Sequence, residues 1–285
     1  MDRLRLIRHS FPDQPELSTQ ISRTILRRVA AGELPPTVRI HRPGNEVAFG
    51  RQDVASPGYE DAVEAARAAG FAAVERLAGG RAAVFHTGTI AIARAYADPQ
   101  PPKRTYARFE EMAEIIATAL QGLGVDARVG EVPGEYCPGA YSVNARGTMK
   151  LAGIGQRMIR GGAHMGGVVV ASGGREVAQV LEPVYAALEL DFDPSTSGSA
   201  SQELGREVDP DEIEEAVIAE LAKRYELVDA QLDDETIRIA AASESGQPAP
   251  LPSESPGSYV VRPTRRAAPS PRASRSAPPN RPGPQ

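Results

Sequence analysis

The chain has 285 residues, of which 41 % are hydrophobic, so it can form one large or two small folded domains. It has no membrane-length apolar run, its polar start gives no secretory signal, and its single cysteine excludes an internal disulfide. We therefore expect a cytoplasmic protein with no membrane partner, and its four scattered histidines predict no metal site.

The net charge of −5 is unevenly distributed along the chain. Segment 246–285 contains six arginines and one glutamate, so it carries a charge of +5 and leaves −10 for residues 1–245. An acidic body without tryptophan is poorly suited to nucleic acid, so we expect no nucleic-acid partner. The Pro-, Ser- and Arg-rich composition of 246–285 predicts a disordered tail behind a folded domain at 1–245.

Hydrophobic periodicity predicts helices and strands in mixed order along the chain. Helices are predicted at 16–32, 59–70, 105–124, 176–188 and 209–225, and Pro183 is expected to break the fourth. Strands are predicted at 3–9, 37–43, 46–51, 72–77, 82–87, 89–97, 126–130, 140–145, 148–156 and 165–172. Several strands follow one another without room for a crossover helix. The sequence therefore predicts an α+β fold with a mixed, largely antiparallel sheet flanked by helices.

The first glycine cluster is the turn in "ERLAGGRAAVFHTG". Gly79 and Gly80 let the backbone approach a ligand closely, and Arg76 and Arg81 can hold a phosphate or carboxylate. His86 lies on the strand that follows. The alternative is an ordinary hairpin with solvent-facing arginines, and a P-loop is excluded because no Gly-Lys-Ser/Thr follows.

A single lysine, Lys150, stands among glycines and apolar residues in "GTMKLAGIGQR". A lysine that faces a closed cleft is costly unless it meets an anion or a carbonyl oxygen, which makes Lys150 a candidate functional cation. The alternative is a strand lysine that reaches solvent. The "GIGQRM" segment has Met158 where a dinucleotide fingerprint needs its third glycine, so we reject a Rossmann site.

Cys137 precedes a proline in the turn of "GEYCPGAYSVN". It is either a small buried side chain or a nucleophile, and a nucleophile needs a cationic partner such as Lys150, Arg76 or His86. His164 borders a further glycine cluster in "GGAHMGG", which makes it a weaker candidate for a ligand-binding residue.

These motifs, in this order, resemble the catalytic domain shared by lipoate–protein ligases, octanoyltransferases of lipoate synthesis and biotin–protein ligases. The likeness extends from about Leu4 to about Leu227. The segment "RLAGGRAAVFH" is similar to the family's arginine–glycine turn, "GTMKLAGIGQR" to its lysine segment, and "RGGAHMGGVVV" to the strand that follows. The resemblance implies a catalytic domain at 1–245 that ends in a short helical extension.

The resemblance also implies roles for particular residues. Lys150 would be the catalytic cation that reaches the activated carboxyl group, and Cys137 lies where the cysteine-dependent relatives carry their nucleophile. The substrate-binding residues would be Arg76, Gly79, Gly80, Arg81, His86, Gly153, Gln156 and His164.

Three functions remain open at this point. The first is a lipoate–protein ligase that forms lipoyl-AMP from ATP, with Mg²⁺, and then modifies a lysine of a lipoyl-domain protein. The second is an octanoyltransferase without cofactor, which takes its acyl group from an acyl-carrier protein onto Cys137. Departures from the family pattern at Ala78, Thr87 and Met165 motivate the third, a homologue that binds acyl groups or adenylates without catalysis.

Overall fold

A computed structural model describes residues 1–244, so the tail predicted at 246–285 lies outside the described residues. The helices are α1 Pro15–Ala30, α2 Arg51–Val54, α3 Tyr59–Ala68, α4 Thr105–Gly122, α5 Gly174–Ala187, α6 Ala200–Leu204, α7 Pro210–Ala222 and α8 Asp234–Glu244. The strands are β1 Asp2–Ile7, β2 Thr37–His41, β3 Glu46–Phe49, β4 Ala72–Glu75, β5 Ala83–Phe85, β6 Thr89–Ala97, β7 Ala127–Val129, β8 Val143–Ala145, β9 Met149–Ile159, β10 Gly162–Val170 and β11 Tyr225–Asp229.

Within residues 1–244 the strands form two sheets, one of eight strands and one of three. The larger has the order β11-β1-β2-β6-β10-β9-β8-β7, and the smaller has the order β4-β3-β5. In the larger sheet β1 pairs in parallel with β11 and β2, and every later pairing is antiparallel. The prediction of an α+β fold with a mixed, largely antiparallel sheet is therefore confirmed.

Helices cover both faces of the larger sheet because its strands alternate in the direction of their side chains. On β1, Leu4 and Leu6 join the core that contains α4 and α7, whereas Ile7 joins the cluster that contains α1 and α8. A third core packs the smaller sheet against α3 and α5. No helix of the described chain is both long enough and apolar enough to cross a membrane.

Besides the short helices α2 and α6, which were not predicted, the structure differs from the sequence-based prediction in three further places. Strand β9 extends to Ile159 and strand β10 begins at Gly162, so the two predicted strands were too short at the turn that joins them. Helix α5 runs through Pro183, which lies on its exposed side, where the carbonyl oxygen left without its amide partner can be hydrated. Strand β11 and helix α8, which were not predicted, complete the end of the domain.

A buried ion pair links helix α4 to the end of β6. Arg108 Nη1 donates to Asp98 Oδ2 at 2.6 Å, and the two side chains are 3 % and 6 % exposed. We expect Asp98→Ala to lower the free energy of unfolding by about 3 kcal/mol, because it leaves a buried guanidinium without its anion. Urea unfolding measures the loss. Asp126→Ala is the control, since it removes the exposed partner of Arg128 and is expected to leave the midpoint unchanged. Equal midpoints for the two variants would contradict the prediction.

Candidate active site

A cleft lies between the larger sheet, the smaller sheet and helix α1. It encloses about 780 Å³, its open mouth included, and a second cleft of about 390 Å³ adjoins it. Cys137, Lys150 and Ile154 line both clefts, so the two candidate catalytic residues stand at the point where the clefts meet. The sequence could not place them together, because the turn that carries Cys137 and the strand that carries Lys150 meet only in the folded chain.

Lys150 is 1 % exposed, and its ammonium group is held by the loop that carries Cys137. Its Nζ donates to Glu135 Oε1 at 3.2 Å, to the Tyr136 carbonyl at 2.9 Å and to the Cys137 carbonyl at 2.8 Å. It also lies 4.8 Å from the centroid of the Tyr136 ring. An ammonium group has three N–H donors, so these contacts within the described chain satisfy it fully. Lys150 therefore acts on the cleft through its charge and through the position that it gives to Cys137.

The anion that pairs with Lys150 is Glu135, which sequence analysis did not identify as a site residue. Glu135 is 2 % exposed, and besides Lys150 it accepts hydrogen bonds from the Ser142 hydroxyl at 2.6 Å and the Gly139 amide at 3.1 Å. Its other oxygen accepts from the Val132 amide at 3.2 Å. These bonds close the 132–142 loop around one carboxylate. An acidic residue in the turn of "GEYCPG" was the only signal for this role in the sequence.

The backbone of Cys137 is fixed on both sides of the residue. Its amide donates to Tyr185 Oη at 2.6 Å, and the Tyr185 hydroxyl donates to the Ala82 carbonyl at 3.0 Å. Its carbonyl accepts from Lys150, and its φ of 42° lies in the left-handed region that non-glycine residues seldom adopt. Such a backbone persists where its surroundings hold it, and here it places Cys137 in the lining of both clefts.

The thiol of Cys137 lies in a cationic setting. Its Sγ accepts from Arg76 Nη2 at 3.3 Å and from the Arg81 amide at 3.2 Å. Burial raises the pKa of this thiol, but the charges of Arg76 and Lys150 and the two hydrogen bonds outweigh burial, so that its pKa falls below the ordinary value. A larger thiolate fraction near neutral pH follows, which is what a nucleophilic cysteine requires.

Glycine is required where the arginine–glycine turn passes the sulfur. Gly80 has a φ of +114°, and a Cβ there would lie 2.1 Å from Arg76 Nη2 and 2.7 Å from Cys137 Sγ. A Cβ at Gly155 would lie 2.5 Å from the Gly79 carbonyl oxygen, so strand β9 can pass close to the turn only at a glycine. The two glycine clusters seen in the sequence are therefore packed against each other.

Arg81 contributes through both its backbone and its side chain. Its amide meets Cys137 Sγ, while its Nη1 donates to Asp53 Oδ1 at 3.1 Å. Asp53 is fully buried and also accepts from the Gly50 amide at 2.9 Å through its other oxygen. The Asp53 carboxylate, which the sequence analysis did not identify as a site residue, therefore holds the turn through the side chain of Arg81.

The remaining candidates lie at different distances from the catalytic pair. Gly153 and His164 line the larger cleft, and a Cβ at Gly153 would lie 3.2 Å from Lys150 Cε. His86 lines neither cleft; its Nδ1 accepts from the Gly88 amide at 3.0 Å. The Gln156 side chain is held by Arg108 Nε at 2.7 Å and faces α4. The substrate-binding roles assigned to His86 and Gln156 remain predictions, with no contact from either side chain to Cys137 or Lys150.

The sheet order and its helical layers are those of a lipoate–protein ligase catalytic domain. The structure of a lipoate–protein ligase A bound with ATP superposes with a TM-score of 0.70 at 18 % identity, covering 87 % of this chain and 96 % of that one. The family model for the lipoyl protein ligase A/B catalytic domain matches residues 14–222, and the chain belongs to this family.

Curated relatives carry a more specific name. The octanoyl-[GcvH]:protein N-octanoyltransferase of Geobacillus kaustophilus is 29 % identical over 206 residues, which covers 69 % of this chain and 72 % of that protein. The protein of the same name from Bacillus velezensis is 30 % identical over 176 residues, which covers 61 % of each chain. These relatives favour the transferase hypothesis over the ligase hypothesis.

The arginine–glycine turn offers a test of fit for ATP. A phosphate cradle needs free backbone amides and a free cation. Here the Gly79 amide donates to the Gln156 carbonyl at 3.2 Å, and both the Arg81 amide and Arg76 Nη2 donate to Cys137 Sγ. As folded, the turn holds a thiol where a phosphate would need those donors, so its residues do not fit the phosphates of ATP.

We expect Arg76→Leu to raise the pKa of Cys137, because burial of the thiol remains while the nearest charge and one hydrogen bond are lost. The rate of alkylation by iodoacetamide, followed against pH, reports this pKa. The wild-type midpoint should lie below that of an ordinary thiol, and the variant midpoint should lie above that of the wild type. Arg128→Leu, at an exposed site, is the control. Coincident profiles for Arg76→Leu and the wild type would show that Arg76 does not set the reactivity of the thiol.

We expect Glu135→Gln to destabilise the fold by about 2 kcal/mol, because the amide cannot replace the anion that faces the buried Lys150. Urea unfolding monitored by circular dichroism provides the measurement. Glu131→Gln, an exposed change at the residue just before the 132–142 loop, should leave the midpoint unchanged. A Glu135→Gln midpoint equal to that of Glu131→Gln would mean that the pair does not hold the loop.

Proposed function

We propose that this protein is an octanoyltransferase that moves a medium-chain acyl group between lysines of lipoyl-domain proteins through a thioester on Cys137. The observation that carries the proposal is the arrangement around its sulfur, which receives donors from Arg76 and Arg81 and lies in the field of Lys150. The names of the curated relatives support the same reaction and indicate a GcvH-type lipoyl domain as donor.

In the first step the Cys137 thiolate attacks the carbonyl carbon of an acyl-lysine amide on the donor. The S–C bond forms, the C–N bond breaks, and the departing lysine amine takes up a proton. Negative charge develops on the carbonyl oxygen during the attack, and the guanidinium of Arg76 is the cation in contact with the sulfur that can stabilise it. Lys150 adds its charge from behind the loop.

In the second step a lysine amine of the acceptor attacks the thioester carbonyl. The new C–N bond forms, the S–C bond breaks, and Cys137 leaves as the thiolate that the same cations stabilise. The amine loses its proton, so the two steps together consume no ATP. The acyl chain lies in the larger cleft, and the protein partners approach its open mouth.

We expect the purified chain to transfer octanoate from an octanoylated GcvH-type lipoyl domain to an unmodified lipoyl domain of different mass, without ATP. Mass spectrometry of the chain should show one octanoyl adduct, removable by hydroxylamine. Cys137→Ser should abolish the adduct and lower transfer at least a hundredfold, because the hydroxyl lacks the acidity of the thiol. Lys150→Ala should also lower transfer, whereas the exposed Lys223→Ala should not.

Two further arms separate the competing functions. Octanoyl-acyl-carrier protein in place of the lipoyl-domain donor tests the carrier. Lipoate with ATP and Mg²⁺ tests the ligase, and modification that occurs only in this arm and persists in Cys137→Ser would contradict the transferase. Modification in no arm would favour a binding protein without catalysis.

A further inference from the structure

The larger cleft continues well beyond Cys137 and Lys150. Gly153, Val168, Ala91 and His41 face one another on four adjacent strands of the larger sheet. Three interstrand spacings of about 4.8 Å place His41 about 14 Å from Gly153. Strand β3 gives an independent measure: Glu46 stands four residues before Gly50, about 13 Å at the rise of an extended strand, and Gly50 abuts the Gly80 carbonyl. The cleft therefore spans the length of a medium-chain acyl group.

The middle of this cleft is apolar. Its walls come from alanines and β-branched residues on both sheets, namely Ala48, Ala78, Ala83, Ala91, Ile92, Ile154 and Val168. Methylene groups lose no hydrogen bonds on entering such a channel and gain the burial of apolar surface. This section suits the body of an acyl chain.

The far end, next to helix α1, is polar instead. It is lined by His41 and Glu46, which are 8 % and 9 % exposed, together with hydroxyl groups of α1. The Glu46 side chain has no hydrogen-bond or ion-pair partner among residues 1–244, and neither does His41 Nδ1. Val47 and Phe49, which alternate with Glu46 on β3, pack into the core of the smaller sheet, so Glu46 points into the cleft.

Hydrogen bonds among Arg39, Ser18 and His41 decide which polar atoms at this end have no partner. Arg39 is fully buried, and its Nη2 donates to Ser18 Oγ at 2.9 Å. Ser18 Oγ lies 3.3 Å from His41 Nε2, and this contact occupies one ring nitrogen of His41. The other ring nitrogen, Nδ1, is buried without a hydrogen-bond partner among residues 1–244. The far end thus offers the free Nδ1 of His41 beside the carboxyl group of Glu46.

These groups are uncharged near neutral pH. Burial, with a smaller contribution from Glu16, raises the pKa of Glu46 to about 8 against the opposing charge of Arg39. Burial, together with the charge of Arg39, lowers the pKa of His41 well below its ordinary value. A neutral carboxyl group both donates and accepts hydrogen bonds, so this end matches a neutral polar group rather than an ion.

An unsubstituted chain that reached this end would place a methyl group against buried polar atoms and leave them without partners, which costs free energy. We propose that the α1 end of the cleft, formed by Glu46 and His41, is a subsite for a hydroxyl group at the distal end of a medium-chain acyl substrate. This inference rests on the proposed function, since it names the acyl class that the same cleft accepts. Ala48 lies two residues after Glu46 on the same face of β3, and its small side chain leaves the channel that leads to Glu46 open.

Isothermal titration calorimetry of the full chain with octanoate and with 8-hydroxyoctanoate tests the subsite. The wild type should bind 8-hydroxyoctanoate about fivefold to tenfold more tightly, since each new buried hydrogen bond contributes that order of affinity. Glu46→Leu should reverse the preference. Glu46→Gln retains a donor and an acceptor and should keep most of it, which also guards against a variant that fails to fold.

Glu64→Leu on helix α3 is the matched control, because Glu64 is exposed and lies outside both clefts. Its affinity ratio should equal that of the wild type. A wild-type preference for octanoate, a ratio unchanged in Glu46→Leu, or the absence of binding of both acids overturns the inference.

The binding ratio and the transfer assay are scored separately. Transfer of octanoate with no preference for the hydroxylated acid would contradict the subsite alone. A preference that depends on Glu46 without any Cys137-dependent transfer would contradict the proposed transferase alone.

Discussion

The site depends on one buried ammonium group. Lys150 is removed from water on strand β9, so its three N–H donors must find acceptors inside the protein. It finds them on three successive residues, Glu135 to Cys137. Satisfying the lysine therefore pins the loop to the sheet and fixes the backbone that carries the thiol. The same charge that organises the loop then favours the thiolate.

The thiol is held from the opposite side by the arginine–glycine turn. Arg76 and the Arg81 amide reach the sulfur only because Gly80 leaves room for both. Asp53 holds that turn through Arg81 and is itself held by the Gly50 amide. Gly155 has no side chain, so β9 can pass close to the turn. Lysine, cysteine and arginine thus form one electrostatic unit whose parts come from three separate segments of the chain. Because the donors of the turn are directed at sulfur, the site suits thioester chemistry.

The larger cleft changes in character along its length. Cys137 and Lys150 line one end, its middle is apolar, and its far end presents polar side chains. Under the proposed function the acyl substrate lies along this whole length. The fold shared with a lipoate–protein ligase supplies the channel between the sheets, and under the same proposal the residues at its two ends select the bond that is made and the acyl group that enters.

The sequence by itself determined the layout of the elements and the type of fold. Alternating and helical apolar patterns located β1, α1, α4 and the β9–β10 hairpin, because burial of one face imposes a period on the sequence. Pro183 was misjudged because a proline on the solvent side of a packed helix costs less than the pattern implies. Strand β11 was missed because its parallel pairing with β1 joins residues more than 200 positions apart.

The sequence also singled out Lys150, Cys137 and the arginine–glycine turn, since a lone cation among glycines and a free cysteine in a turn are unusual. Beyond an acidic residue in the turn of "GEYCPG", it gave no sign that Glu135 neutralises Lys150, and it gave none that Glu46 and His41 close the far end of the cleft. Those roles depend on distances between segments, and on which side chains are left without partners after packing. Only the tertiary structure decides them, because burial and the charges that surround each group set its protonation and its hydrogen bonds.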